Sequence, residues 1–113
     1  MIDLVRLKAI MGSRTRGSGS DWDFVFYVSI NDTIRDLNAQ TRLDVALIDE
    51  DDPPTSIDLD SKYSGVFRDG VAYHMQKNAT WARTSEEVSD IDYRRSMVDA
   101  AGMSVQDELD EEE

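Results

Sequence analysis

Two aspartates one residue apart, Asp21 and Asp23, follow a glycine- and serine-rich stretch that carries Arg14 and Arg16. If residues 22–29 (WDFVFYVS) form a strand, side chains alternate between its faces and the flanking carboxylates share one. Like charges on one face are reconciled by a hard divalent cation such as Mg²⁺. Residues 12–20 (GSRTRGSGS) hold three glycines and three serines and suit polyphosphate. There Gly12 admits close backbone approach, Ser13 offers a hydroxyl and an N–H, and Arg14 or Arg16 can pair with phosphate oxygens. Asp44, early in the apolar run 42–49 (RLDVALID), is the third candidate. If the two runs are neighbouring strands, three carboxylates can hold two Mg²⁺ about 3.5 to 4 Å apart. One ion would hold a triphosphate; the other would activate an attacking hydroxyl, with Asp44 as ligand and possible base. Charge on the transferring phosphoryl group would be met by metal and loop. The DxD form alone has little specificity, since Asp58 and Asp60 repeat it in a proline-led loop. Neither a Walker A loop nor a GxGxxG loop occurs, and a protein kinase is excluded by length and by its missing catalytic-loop motif.

These residues need elements to position them. Residues 4–11 alternate loosely and read as a first strand that breaks at Gly12. Residues 22–29 are the strongest strand signal, dense in aromatic and branched side chains, and their near-continuous apolar character suggests a central strand. Asn31 or Asp32 can cap a short helix over 33–40, with Ile34 and Leu37 on one side. Residues 42–49 read as a further strand, closed by an exposed turn with Pro53, Pro54 and the four consecutive acids 49–52. A helix is expected from about Val66 to Asn78, weakened by Gly70. A last helix opens at Ser85, Glu86 and Glu87, with Val88, Ile91, Met97 and Val98 on a partly apolar face. Gly102 is expected to end it, leaving 105–113 as an acidic, disordered tail. The expected fold class is α/β, a small mixed β-sheet flanked by helices, in one domain over 1–104.

Composition bounds the rest. The 113 residues suffice for one domain. Without cysteine there is no disulfide, thiolate catalysis or Cys-ligated zinc. No apolar run approaches the roughly 20 residues that span a bilayer. Arg6 and Lys8 interrupt any leader-like stretch, so a cytoplasmic protein is expected. Net charge is −12, with 17 Asp, 7 Glu and only three lysines, Lys8, Lys62 and Lys77. That balance suits a salt-rich cytoplasm such as that of a halophilic archaeon; the alternative is an ordinary acidic protein. Bulk nucleic-acid binding is not expected of so acidic a chain. The one basic island, residues 1–20, coincides with the glycine loop.

Taken together, Gly12-Ser13-Arg14-Thr15-Arg16-Gly17 followed by Ser20-Asp21-Trp22-Asp23-Phe24 resembles the GS…DxD signature of the minimal nucleotidyltransferases of the DNA polymerase β superfamily. Arg42-Leu43-Asp44-Val45 looks like that family's third-aspartate strand, and Arg68-Asp69-Gly70-Val71-Ala72-Tyr73 like the helix that often follows it. The resemblance implies Mg²⁺-dependent transfer of a nucleoside monophosphate, with ATP as substrate. Gly12 and Ser13 would contact the triphosphate, Asp21 and Asp23 would be metal ligands, and Asp44 would complete the catalytic site. Many small members are antitoxins that adenylylate a tyrosine of a HEPN-family RNase toxin, and that hetero-oligomeric partnership is the specific expectation. Only seven residues separate Ser13 from Asp21, a short spacer for the family, which keeps open a second reading: an antitoxin or interaction protein that neutralises its partner by binding alone.

Other residues read more plainly. His74, the lone histidine, is expected to be a packing or surface residue. Trp22 and Trp81 read as core or interface anchors, with an adenine-stacking role for Trp22 as the lesser alternative. Tyr93, Arg94 and Arg95 on the last helix form either a docking patch for a partner helix or part of an ordinary packed surface.

Overall fold

The longest apolar pattern in the chain has a period of 3.6, not 2. Trp22, Phe26, Ile30, Ile34 and Leu37 are all buried and form one helical stripe. A computed structural model, describing residues 1–15, 19–79 and 88–112, shows helix α2 running unbroken over Ser20–Gln40. The strand expected at 22–29 is therefore corrected to helix, continuous with the helix expected at 33–40. Eight residues crowded with aromatics fit either period. Only the phase carried onward through Ile30, Ile34 and Leu37 decides. Phe24, 61% exposed, has no place in a central strand but sits naturally on the outer face of a helix.

The strand expected at 4–11 is corrected in the same way. Helix α1 covers Leu4–Thr15 and buries Leu4, Leu7 and Met11. Asp3 starts it: its Oδ1 accepts the N–H groups of Val5 at 2.9 Å and Arg6 at 3.1 Å, a side-chain N-cap. Gly12 and Ser13 thus belong to the last turn of α1 and not to a loop.

The molecule does combine helices with a sheet, but the sheet is small and made elsewhere. Strands β1 (Ile2–Asp3) and β2 (Ser56–Ile57) pair antiparallel, with Ile2 opposite Ile57 and Asp3 opposite Ser56. Residues 42–49, expected as a strand, belong to no sheet. They lie along α2, where Asn31 and Asn38 bond the backbone of Ile48 and Val45, turning Val45 and Ile48 into the core.

A 3₁₀ turn at Ser61–Tyr63, capped by Asp60, leads into α3 (Ser64–Asn78), close to the expected start. Phe67, Val71 and Met75 of α3 are fully buried. Gly70 faces α2: a Cβ there would stand 2.5 Å from Thr33 Cγ2, so the two helices approach closely only because the side chain is absent. Helix α4 spans Asp90–Glu112 and buries Tyr93, Met97 and Ala100. It passes through Gly102, the expected stop, and the helix covers most of the expected tail. Ser85, Glu86, Glu87 and Trp81 lie outside the described residues. The core is therefore three helices, α2 to α4, with α1, the extended segment and the two-stranded sheet closing its sides.

Candidate functional site

The structure brings the two halves of the first motif together but not as a metal site. Gly12, Ser13 and Arg14 form the last turn of α1, and Asp21 and Asp23 the first turn of α2. Thr15 ties the ends: its hydroxyl donates to the Met11 carbonyl at 2.7 Å and accepts from Trp22 Nε1 at 2.8 Å. Arg16 lies outside the described residues. Gly19, at the N-cap of α2, has φ 103°, which favours glycine, and supplies no side-chain cap. Acids in a first helical turn meet the positive end of the helix dipole, so the helix start alone accounts for both aspartates.

On a helix, residues i and i+2 lie about 200° apart, so Asp21 and Asp23 do not share a face. Asp23 is engaged instead by Lys8, 3.3 Å away. Burial opposes the charge on Lys8, but hydrogen bonds to Tyr27 and Asp23 outweigh it and hold the ammonium above its ordinary range. Asp44 is exposed and precedes Val45, which is tied to Asn38. That places it about 22 Å along the α2 axis from Asp23. The shared-face premise that joined Asp44 to the pair fails with the strands, so the structure does not bring the three carboxylates together. Among the described residues no group of three or more His, Cys, Asp or Glu is placed to hold a metal ion.

A different cluster of titratable groups does form, at the junction of α2, α3 and α4. Asp36 Oδ2 accepts a hydrogen bond from the Tyr93 hydroxyl and lies 2.7 Å from His74 Nε2, which is 3.2 Å from the same hydroxyl. The Tyr73 and Tyr93 rings stack at 4.2 Å, and the Tyr73 hydroxyl donates to Asp90. Burial, then the bond to Asp36, pushes the Tyr93 phenol far above its ordinary value. The bond to Asp90, then burial, raises Tyr73. The Tyr73 bond and the Lys77 ammonium hold Asp90 below the usual carboxylate range. His74 is thus a bridging residue between three helices. Its i, i+3 relation to Lys77 and its neighbour Tyr73 hinted at nothing of this, because Asp36 lies 38 residues away.

The known proteins add no family. No family model, curated protein or solved structure matches the chain. No described helix is long and apolar enough to cross a membrane.

The remaining distinctive surface is on α4. Ile91, Val98, Val105 and Leu109 are all exposed, Ile91 and Val98 at 70%. Their spacing places them within about 40° of one another around the helix. Tyr93, Met97 and Ala100 occupy the opposite side and are buried. Helix α4 therefore carries two apolar faces, and folding uses one.

Proposed function

We propose that this chain is a partner-binding protein that acts through the outward face of α4, the binding-only reading of its function. One observation carries it: a row of four exposed aliphatic side chains on a helix whose opposite face already fills the core. Isolated exposed apolar residues are ordinary, whereas a contiguous stripe marks an interaction site. The test replaces Val98 and, separately, Val105 by Asp in the full chain. Both side chains are exposed, so thermal melts stay unchanged while co-purification with the adjacent gene's product from the native cell is lost. Undiminished co-purification by both variants would remove α4 from the function.

A second reading follows the resemblance: Mg²⁺-dependent adenylylation, by Asp21, Asp23 and Asp44, of a tyrosine on a HEPN-family RNase toxin in the cytoplasm. What favours it is the hydrogen bond from Trp22, the residue between the two aspartates, to Thr15 at the end of the α1 turn that carries Gly12 and Ser13. Against it stand the helical separation of Asp21 from Asp23 and the distance to Asp44. Transfer of labelled AMP from ATP to such a toxin, lost in an Asp21→Asn, Asp23→Asn double variant, would establish it. Neutralisation that survives the double variant without any transfer would leave the binding reading.

A further inference from the structure

The outward face of α4 also specifies what covers it. Ile91, Arg95, Val98, Gly102, Val105 and Leu109 follow one another at alternating steps of four and three residues, the spacing of a helix-pairing seam. Gly102 sits at its middle, and a Cβ built there meets nothing within 4 Å. A solvent-facing glycine inside a helix is less favourable than alanine. Between Val98 and Val105 it leaves a notch in which a bulky side chain from another helix can seat.

Charge chooses between the two possible occupants. From Asp90 to Glu112 the helix carries eight acids and two bases, Arg94 and Arg95, a balance of −6. All six acids from Asp99 onward run without a compensating base. A second copy would set another helix of balance −6 beside the first, within a pair of chains that are each −12. Like charges at the borders of a helix pair oppose pairing, and opposite charges there select the partner.

Resting on the reading of α4 as the binding face, we propose that the seam receives a basic amphipathic helix of another protein, packed over Gly102 with its Lys and Arg side chains against the acidic C-terminal half of α4. The apolar stripe supplies the burial, and the acids set orientation and exclude self-pairing.

The probe is a synthetic helical peptide with leucine at its seam positions and lysine at the bordering ones, and its counterpart with glutamate in place of lysine. Binding to the full chain is followed by fluorescence anisotropy from 50 to 500 mM salt, alongside the mass of the chain alone by light scattering. The lysine peptide is expected to bind and to weaken as salt rises, and the glutamate peptide not to bind. Val98→Asp separates docking from general attraction. It adds a negative charge, so simple electrostatic adhesion would tighten, whereas docking on the stripe loses at least tenfold in affinity. Gly102→Leu, filling the notch, weakens binding by a similar factor while leaving the fold intact.

Equal binding of both peptides, tighter binding by Val98→Asp, or no binding of the lysine peptide would overturn the proposal. So would a dimer of the chain alone that Val98→Asp dissolves, since a second copy would then be the occupant. These failures leave the partner-binding reading standing if co-purification of the natural partner still depends on Val98. Loss of that dependence would sink both.

Discussion

Asn38 holds Val45 by both of its backbone groups: its amide donates to the Val45 carbonyl at 2.9 Å, and its side-chain carbonyl accepts the Val45 N–H at 2.9 Å. Two turns earlier on the same helical face, Asn31 does the same for Ile48, at 3.0 and 2.8 Å, and also donates to Glu50. Each side chain stands in for a peptide group of a neighbouring strand. An extended segment thereby pairs with a helix, and its buried backbone is satisfied without a sheet.

Replacing Asn31 by Ala leaves a buried N–H and carbonyl of Ile48 without partners. The expected loss is about 2 to 4 kcal/mol, read as a lower urea midpoint with unchanged slope. Asn38→Ala, at a half-buried position, is expected to cost less. Equal and negligible effects would mean that the pairing contributes little to stability.

Gly70→Ala tests the close approach of α2 and α3. The added methyl meets Thr33 Cγ2 at 2.5 Å, and the expected cost is about 1 to 3 kcal/mol. Thr33→Ser removes that methyl while keeping the hydroxyl, which bonds the Ser29 carbonyl at 2.8 Å. The Gly70→Ala, Thr33→Ser double variant therefore recovers part of the loss, and a double-mutant thermal analysis measures the coupling.

Alkaline titration reports on the His74, Asp36 and Tyr93 junction. Tyr93 and Tyr73 are raised in the folded chain above an unfolded value near 10. Their contribution to stability is present below about pH 10 and is lost as pH rises, because the unfolded chain releases those protons first. Phenolate absorbance at 295 nm is then expected to show Tyr93 ionising only together with unfolding. In Tyr93→Phe that late component disappears. Asp90 acts in the opposite sense: lowered in the fold, its contribution is present above about pH 4 and lost as pH falls.

Asp21→Asn and Asp23→Asn are expected to cost about 0.3 to 1 kcal/mol each, the scale of acids in a first helical turn. Asp23→Asn additionally releases Lys8, an exposed pair of small value. Chemical denaturation of the two single variants checks this. A loss several times larger would assign the pair a role beyond the helix start.

What was legible in the sequence divides by range. Local capping and turn chemistry was readable: the helix near Val66 to Asn78 and the proline turn at 53 and 54 stand close to where their residues place them. Asp3, with its apolar partners at Leu4, Leu7 and Met11, is an equally local signal for a helix, masked by the strand-like alternation of Val5 with Leu7. The run 22–29 failed for a related reason. Aromatic and branched residues favour strands only where a pleated neighbour receives them, and α3 and α4 receive them here on a helix.

By itself the sequence determined the acidic charge, the absence of cysteine and a last helix with residual apolar surface, since each follows from residue types or short spacing. Tertiary structure alone decided that 42–49 pairs with asparagine side chains, that Asp44 stands far from Asp23, and that His74 meets Asp36 and Tyr93. Those relationships join positions far apart in the chain, and their energy depends on which helix faces are brought into contact. Local preference cannot encode that choice; burial of the shared core makes it.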